Sequence, residues 1–217
     1  MTLQSDLLPL FPLELVLLPE EPLPLHIFED RYKTLIGECL EAKTAGAPRQ
    51  EFGVIRVKGQ AVSNLGCTAR IVNVTRRYDD GRLDILTVGK RRFEILLTNE
   101  ERPYLQGAVE FFDDEGPDAP SDEVADEVIT RFREAMRKLR HAPDMPVHLP
   151  RPYRYLSFRL AASLPFDLEF KQQLLALRNE PERLQLVLRA VEILMDQLNH
   201  VQQTQEKAGG NGHARHL

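Results

Sequence analysis

Leu8-Pro9-Leu10-Phe11-Pro12-Leu13 and His26-Ile27-Phe28-Glu29-Asp30-Arg31-Tyr32 are the stretches on which the reading of this chain turns. Pro9 and Pro12 keep the entry extended and exclude a helix there. Leu13, Leu15 and Leu17 alternate with Glu14 and Val16, the period of a strand with one face on a core. The run Pro19-Glu20-Glu21-Pro22-Leu23-Pro24 lacks donors for a regular ladder and predicts a stiff crossing loop. A helix is expected from about Glu29, with Tyr32, Leu35, Ile36, Cys39 and Leu40 at helical spacing. Glu29 and Asp30 fall where a helix N-terminus is positive.

Short strands follow. Phe52–Val57 reads as one, Gly59–Gly66 as a polar connection, and Cys67–Tyr78 as a second with Thr68, Arg70, Asn73 and Thr75 among apolar neighbours. Asp79-Asp80-Gly81 signals a tight turn. Leu83–Val88, ending at Gly89, and Arg92–Leu97 read as two more. Tyr104–Phe112 is the last, where Gly107 points to a bulge or a close backbone approach. Such spacing argues for a closed barrel or sandwich, with one helix inserted after the first strand.

Composition changes at residues 113–120, the best internal boundary. Ser121 caps a helix marked by Val124, Val128, Ile129, Phe132, Met136 and Leu139, stopped by Pro143 and Pro146. Further helices are expected over Tyr153–Leu164, over Leu168–Arg178 and along Leu184–Val201. The division is 1–115, β-rich; 121–203, a bundle of about four helices; and 204–217, a disordered tail.

Apolar content of 42% suits a packed core, and no stretch is long enough to span a membrane. Met1–Asp6 lacks a secretory pattern, and Cys39 and Cys67 read as reduced thiols of a cytoplasmic protein. Residues 1–115 hold 14 Lys and Arg against 19 Asp and Glu, so no basic excess favours nucleic acid. Arg70, Arg76, Arg77, Arg82 and Lys90–Arg92 form the one basic grouping that could, and on strands with an apolar face they read as solvated charge.

No motif supplies chemistry. Gly89-Lys90-Arg91 fails as a phosphate loop, with Asp84 where the first glycine belongs. None of His26, His141, His148, His200, His213 and His216 pairs at ligand spacing, so no metal or cofactor is expected. Ser157 and Ser163 with Lys171 lack a nucleophile elbow and read as helix-surface serines. The carboxylate pairs lie in turns or loops, where solvated charge is the default.

The order of these elements resembles the Lon protease N-terminal substrate-binding domain family, most closely its stand-alone bacterial members lacking the ATPase and peptidase domains. Besides the opening, Phe52-Gly53-Val54, Gly66-Cys67-Thr68-Ala69-Arg70-Ile71, Asp80-Gly81-Arg82 with Gly89–Phe93, and Lys171–Leu175 are similar to its pattern, Cys67 being an insertion against a common form. The resemblance implies an α+β chain: a six-stranded PUA-like pseudo-barrel, then a helical bundle. It implies a non-enzymatic module that binds unfolded or apolar polypeptide segments, with a protease or chaperone as a further partner. The surface expected to do so comprises Pro19, Glu20, Pro22, Leu23 and Leu25 of the proline-rich loop and Arg31, Tyr32 and Lys33 of the first helix. An RNA-binding PUA-like protein and a small hydrolase are the alternatives, and monomer and homodimer stay open.

Overall fold

The computed structural model describes residues 7–44, 51–116, 119–140, 151 and 153–210. Most of the loop expected at 42–50, together with Pro143, Pro146 and residues 211–217, lies outside the described residues. The chain is α+β. Its strands are β1 (Leu8–Leu13), β2 (Pro22–Ile27), β3 (Glu51–Lys58), β4 (Ala61–Arg77), β5 (Leu83–Asn99) and β6 (Gln106–Phe112). Its helices are α1 (Asp30–Thr44), α2 (Asp122–Arg140), α3 (Leu156–Ser163), α4 (Leu168–Ala176) and α5 (Glu180–Gly210). Two compact units form: residues up to Glu115 with Ala161–Arg178, and Gly116–Leu160 with Asn179 onward.

In the first unit the strand order is β2-β5-β4-β3-β1-β6, and β6 also pairs with β5. Five strands therefore close into a ring, while β2 lies along the first half of β5. The ring is filled from Phe93, Leu10, Leu8 and Ile55. Phe93 has room because two glycines face it: a Cβ on Gly53 or Gly66 would stand 2.6 or 2.5 Å from its Cζ. Gly107 meets the close backbone approach expected of it, since a Cβ there would lie 3.3 Å from Leu97 O. Phe11 stacks on Tyr32 at 3.9 Å between centroids and so fastens α1 to the sheet.

Several expectations are corrected. The first strand is Leu8–Leu13, not an alternating run ending at Leu17; Val16, Leu17 and Leu18 are all buried. Leu10 N donates to Leu105 O, so even positions of β1 face β6 and odd ones face β3. Pro9 thus faces β3 one residue before that pairing starts at Leu10, and Pro12 faces β6 beyond Pro9, where that pairing ends. The proline-rich loop is strand β2 from Pro22 onward. The two strands expected on either side of Gly89 are one, β5, because Gly89 sits mid-strand beneath a crossing backbone. The polar connection 59–66 is mostly β4; the chain turns at Gly59, whose φ of +61° suits glycine.

Helix α4 joins the first unit rather than one helical block, drawn by its charges. Arg56 grips Glu169 with two bonds of 2.9 Å, and Lys58 adds a third at 2.8 Å. The second unit pairs α2 with α5. Ser121 begins α2, as expected, and Asn179 Oδ1 accepts from Glu182 N at 3.0 Å to cap α5. Helix α5 runs through Gly210, so residues 204–210 are helical; Gln202, Gln203 and Gln205–Ala208 are good helix formers.

Candidate functional site

The surface expected to recognise a partner begins at the turn Leu18–Glu21. Pro19 occupies its second position and Glu20, at φ +65°, its third, the signature of a type II turn with Glu where glycine is usual. Glu21 N donates to Leu18 O at 3.1 Å. The turn is clamped to β5 by Glu20 N to Gly89 O and Gly89 N to Glu21 O, both 2.9 Å. Both carboxylates are engaged, Glu20 with Lys90 at 3.0 Å and Glu21 with Lys171 at 2.8 Å. Pro19 is buried. The turn is built into the fold.

Strand β2 then alternates cleanly. Pro22, Pro24 and His26 are exposed, while Leu23 and Leu25 are half-buried and Ile27 is buried. Leu23 O accepts from Thr87 Oγ1 at 2.8 Å, which turns the odd positions toward β5 and the prolines toward the free edge. Residues directly opposite across strands share a face. Three ranks therefore cross β2, β5 and β4 on the outer face: Pro22–Val88–Arg70, Pro24–Leu86–Asn73 and His26–Asp84–Arg76. Leu86 and Val88 are half-buried aliphatics between a proline rail and a rail with two arginines.

The third rank ends in an aromatic cluster. Asp84 takes His26 Nδ1 at 2.5 Å and the Tyr78 hydroxyl at 2.8 Å. These two bonds hold its carboxyl below the usual range, and the same carboxylate pushes the Tyr78 phenol up. Phe28, 58% exposed, stacks on His26 at 6.0 Å. The guanidinium of Arg76 lies 4.6 Å and that of Arg82 4.8 Å from the Tyr78 ring centroid. Helix α1 meets this corner through Lys33, bound to Asp30 at 3.1 Å and to Asp80 O at 3.4 Å.

Of the residues expected at the surface, Pro19 and Tyr32 are core, and burial raises the Tyr32 phenol pKa. Leu23 and Leu25 lie half-buried on the inner face, opposite the buried Thr87 and Ile85, and Arg31 pairs with Glu29 at 2.7 Å. Pro22 lies on the outer face, and Lys33 reaches the aromatic corner. Phe28, His26, Tyr78, Asp84, Leu86 and Val88 lie outside the expected surface, and Arg76 belongs to it only as part of the basic grouping weighed for nucleic acid. The available signal was the odd–even alternation of Pro22–Ile27, which marks a strand even through two prolines.

Compared with known proteins, residues 7–192 match the family described as the ATP-dependent protease La (LON) substrate-binding domain. The chain belongs to that family. Lon protease of Cytophaga hutchinsonii is 25% identical over 202 residues, 87% of this chain and 25% of that protein. Lon protease of Parabacteroides distasonis is 26% identical, over 82% of this chain and 23% of that protein. The chain thus spans about a quarter of the length of these relatives. The crystal structure of a Lon N-terminal domain protein from Xanthomonas campestris superposes with a TM-score of 0.63 at 25% identity, covering 85% of this chain and 98% of that one. The N-terminal domain of Mycobacterium avium complex Lon protease, at 17% identity, shares the fold with a TM-score of 0.62 over 86% of this chain and 98% of that one.

Within this Lon substrate-binding domain Ser157, Lys171 and the two thiols are held in structural roles. Ser157 is buried, not on a helix surface: its hydroxyl donates to Glu180 at 2.7 Å and accepts from Arg183 Nε at 3.0 Å. Glu180 also accepts the Ser157 N–H at 2.9 Å and thereby caps the start of α3. Lys171 serves Glu21. Burial pushes both thiols up, Cys39 to about 12. Among the described residues no cluster of His, Cys, Asp and Glu could hold a metal, and no helix is long and apolar enough to cross a membrane. Most of the basic grouping is paired with acids: Arg70 with Glu51, Arg82 with Asp80, Lys90 with Glu20, and Arg92 is buried against Asp114.

Proposed function

We propose that this Lon substrate-binding domain is a polypeptide-recognition module that acts by binding and makes or breaks no bond. The observation that carries this is the family match over residues 7–192 to a domain named for substrate binding. The open β2-β5-β4 face, with solvent-reachable Phe28, Leu86 and Val88, supports it. Closure of five strands into a ring favours a pseudo-barrel of the PUA-like type, and α2 with α5 carries what there is of a helical bundle. We read the partners as unfolded or apolar segments, presented in the cytoplasm to a protease or chaperone. Salt-paired arginines count against an RNA-binding role.

The test is fluorescence anisotropy with labelled, unstructured apolar peptides and a folded protein as competitor. Saturable binding near tens of micromolar, about −6 to −7 kcal/mol, is the expected outcome. Flat anisotropy over the whole range, or turnover of peptide or ATP, overturns the reading.

A further inference from the structure

We infer that the β2-β5-β4 face selects extended polypeptide segments in which apolar side chains alternate with acidic ones. The inference rests on the polypeptide-recognition reading and names its substrate class. It starts from what the free edge of β2 cannot do. An incoming strand would need N–H donors from the outward positions of β2, and two of those, Pro22 and Pro24, have none. Backbone pairing onto this edge is therefore crippled, and an occupant must be read by its side chains across the outer face.

That face has a directional chemistry. Its middle is aliphatic, Leu86 and Val88 in succession on β5, walled on one side by the rings of Pro22 and Pro24. An extended chain lying along β5 would set alternate side chains on this strip, one every two residues. The other wall is β4, where Arg70 and Arg76 stand opposite Val88 and Asp84. Charge decides what that wall accepts. Asp84, the carboxylate on the face, is bound to His26 and Tyr78. Glu51 and Glu20, bordering it, are bound to Arg70 and Lys90. Arg76 makes no ion pair among the described residues and is held over Tyr78, exposed. A carboxylate arriving there meets an exposed guanidinium, whereas an ammonium meets Arg76 with Asp84, Glu51 and Glu20 already engaged. Phe28, at the same corner, offers an aromatic face to an apolar residue beside that carboxylate.

The experiment compares two labelled peptides with one apolar sequence, Phe and Leu alternating with Glu in the first and with Lys in the second. Anisotropy is read with the wild-type chain, Arg76→Glu, Leu86→Ser, and Leu97→Ser as a control at an exposed site on another part of β5. The Glu peptide is expected to bind about tenfold tighter than the Lys peptide, with the preference shrinking in high salt. Arg76→Glu is expected to reverse the preference, and Leu86→Ser to weaken both peptides several-fold while Leu97→Ser leaves them unchanged. Circular dichroism checks that each variant is folded. Equal binding of both peptides, indifferent to Arg76 and Leu86, overturns this inference and leaves polypeptide recognition standing. Binding of neither peptide overturns both.

Discussion

Gly89 and Leu18 are packed backbone to backbone: a Cβ on Gly89 would be driven into the carbonyl oxygen of Leu18. The contact is what lets the Pro19–Glu20 turn exchange its two hydrogen bonds with β5. Gly89→Ala must therefore push the turn off the strand, at a cost of about 3 kcal/mol or more. Gly37, inside α1 with nothing within 4 Å of its missing Cβ, supplies the opposite case. Gly37→Ala is expected to stabilise by about 0.5–1 kcal/mol. Urea denaturation of the two variants checks the pair, and equal effects would contradict this packing.

The same glycine shows where sequence reading stops. Period-two patterning found β3, most of β4 and β6, and the turn Asp79-Asp80-Gly81 appeared as expected, with Gly81 at φ +82°. A glycine between two apolar runs looks like a strand end, however, unless one knows which backbone crosses above it. Dividing β5 at Gly89 adds a strand and reading 19–24 as a loop removes one, so the six strands expected equal the six observed. β2 is hidden in the sequence because prolines argue against strands in general and only an edge, a tertiary fact, makes them tolerable. Phe28 is hidden for a similar reason, since nothing local distinguishes an exposed aromatic from a core one. Ser157 looked like a surface serine until Glu180 and Arg183, over 20 residues away, closed on it.

Arg92 and Asp114 form an ion pair at 2.6 Å with side chains 3% and 2% exposed. Arg92 also donates to the carbonyls of Leu175 and Leu177, so it fastens the end of α4 to the sheet. Asp114→Ala strands a buried guanidinium and is expected to cost about 3–5 kcal/mol. Hydrogen exchange should rise first in residues 175–178, whose carbonyls the freed side chain no longer holds in place. A change below about 1 kcal/mol would mean that the pair is solvated.

Glu169 gives a pH dependence. Its bonds to Arg56 and Lys58 lower its pKa from 4.5 to about 2. A carboxyl more acidic folded than unfolded stabilises fully above its unfolded pKa and loses that contribution as pH falls from about 4.5 toward 2. Glu169→Gln should lower the Tm at neutral pH, and the gap from wild type should close as the pH is taken down through that window. The gap should also narrow in high salt, since Glu169 is exposed. A gap that stays constant from pH 7 to 3 would show that Glu169 acts through something other than its charge.

The prolines of β2 have a consequence for solubility as well as for recognition. An edge strand offering a full row of donors is a template for a second chain, and Pro22 and Pro24 remove two donors from the outward side without disturbing the inward ladder to β5. Replacing both with Thr restores those donors on a strand whose Leu23, Leu25 and Ile27 already hold the register. The double variant should stay folded, losing about 0.4–1 kcal/mol per site because the unfolded chain becomes more flexible. It should also self-associate with rising concentration in sedimentation velocity, while the wild-type profile changes less. Lys introduced at position 24 alone should lose one site's share of that stability without associating, because a charge on the edge repels a second copy. If the Thr double variant shows the concentration dependence of the wild type, the prolines do not guard this edge, and backbone pairing returns as a route by which a polypeptide could be held.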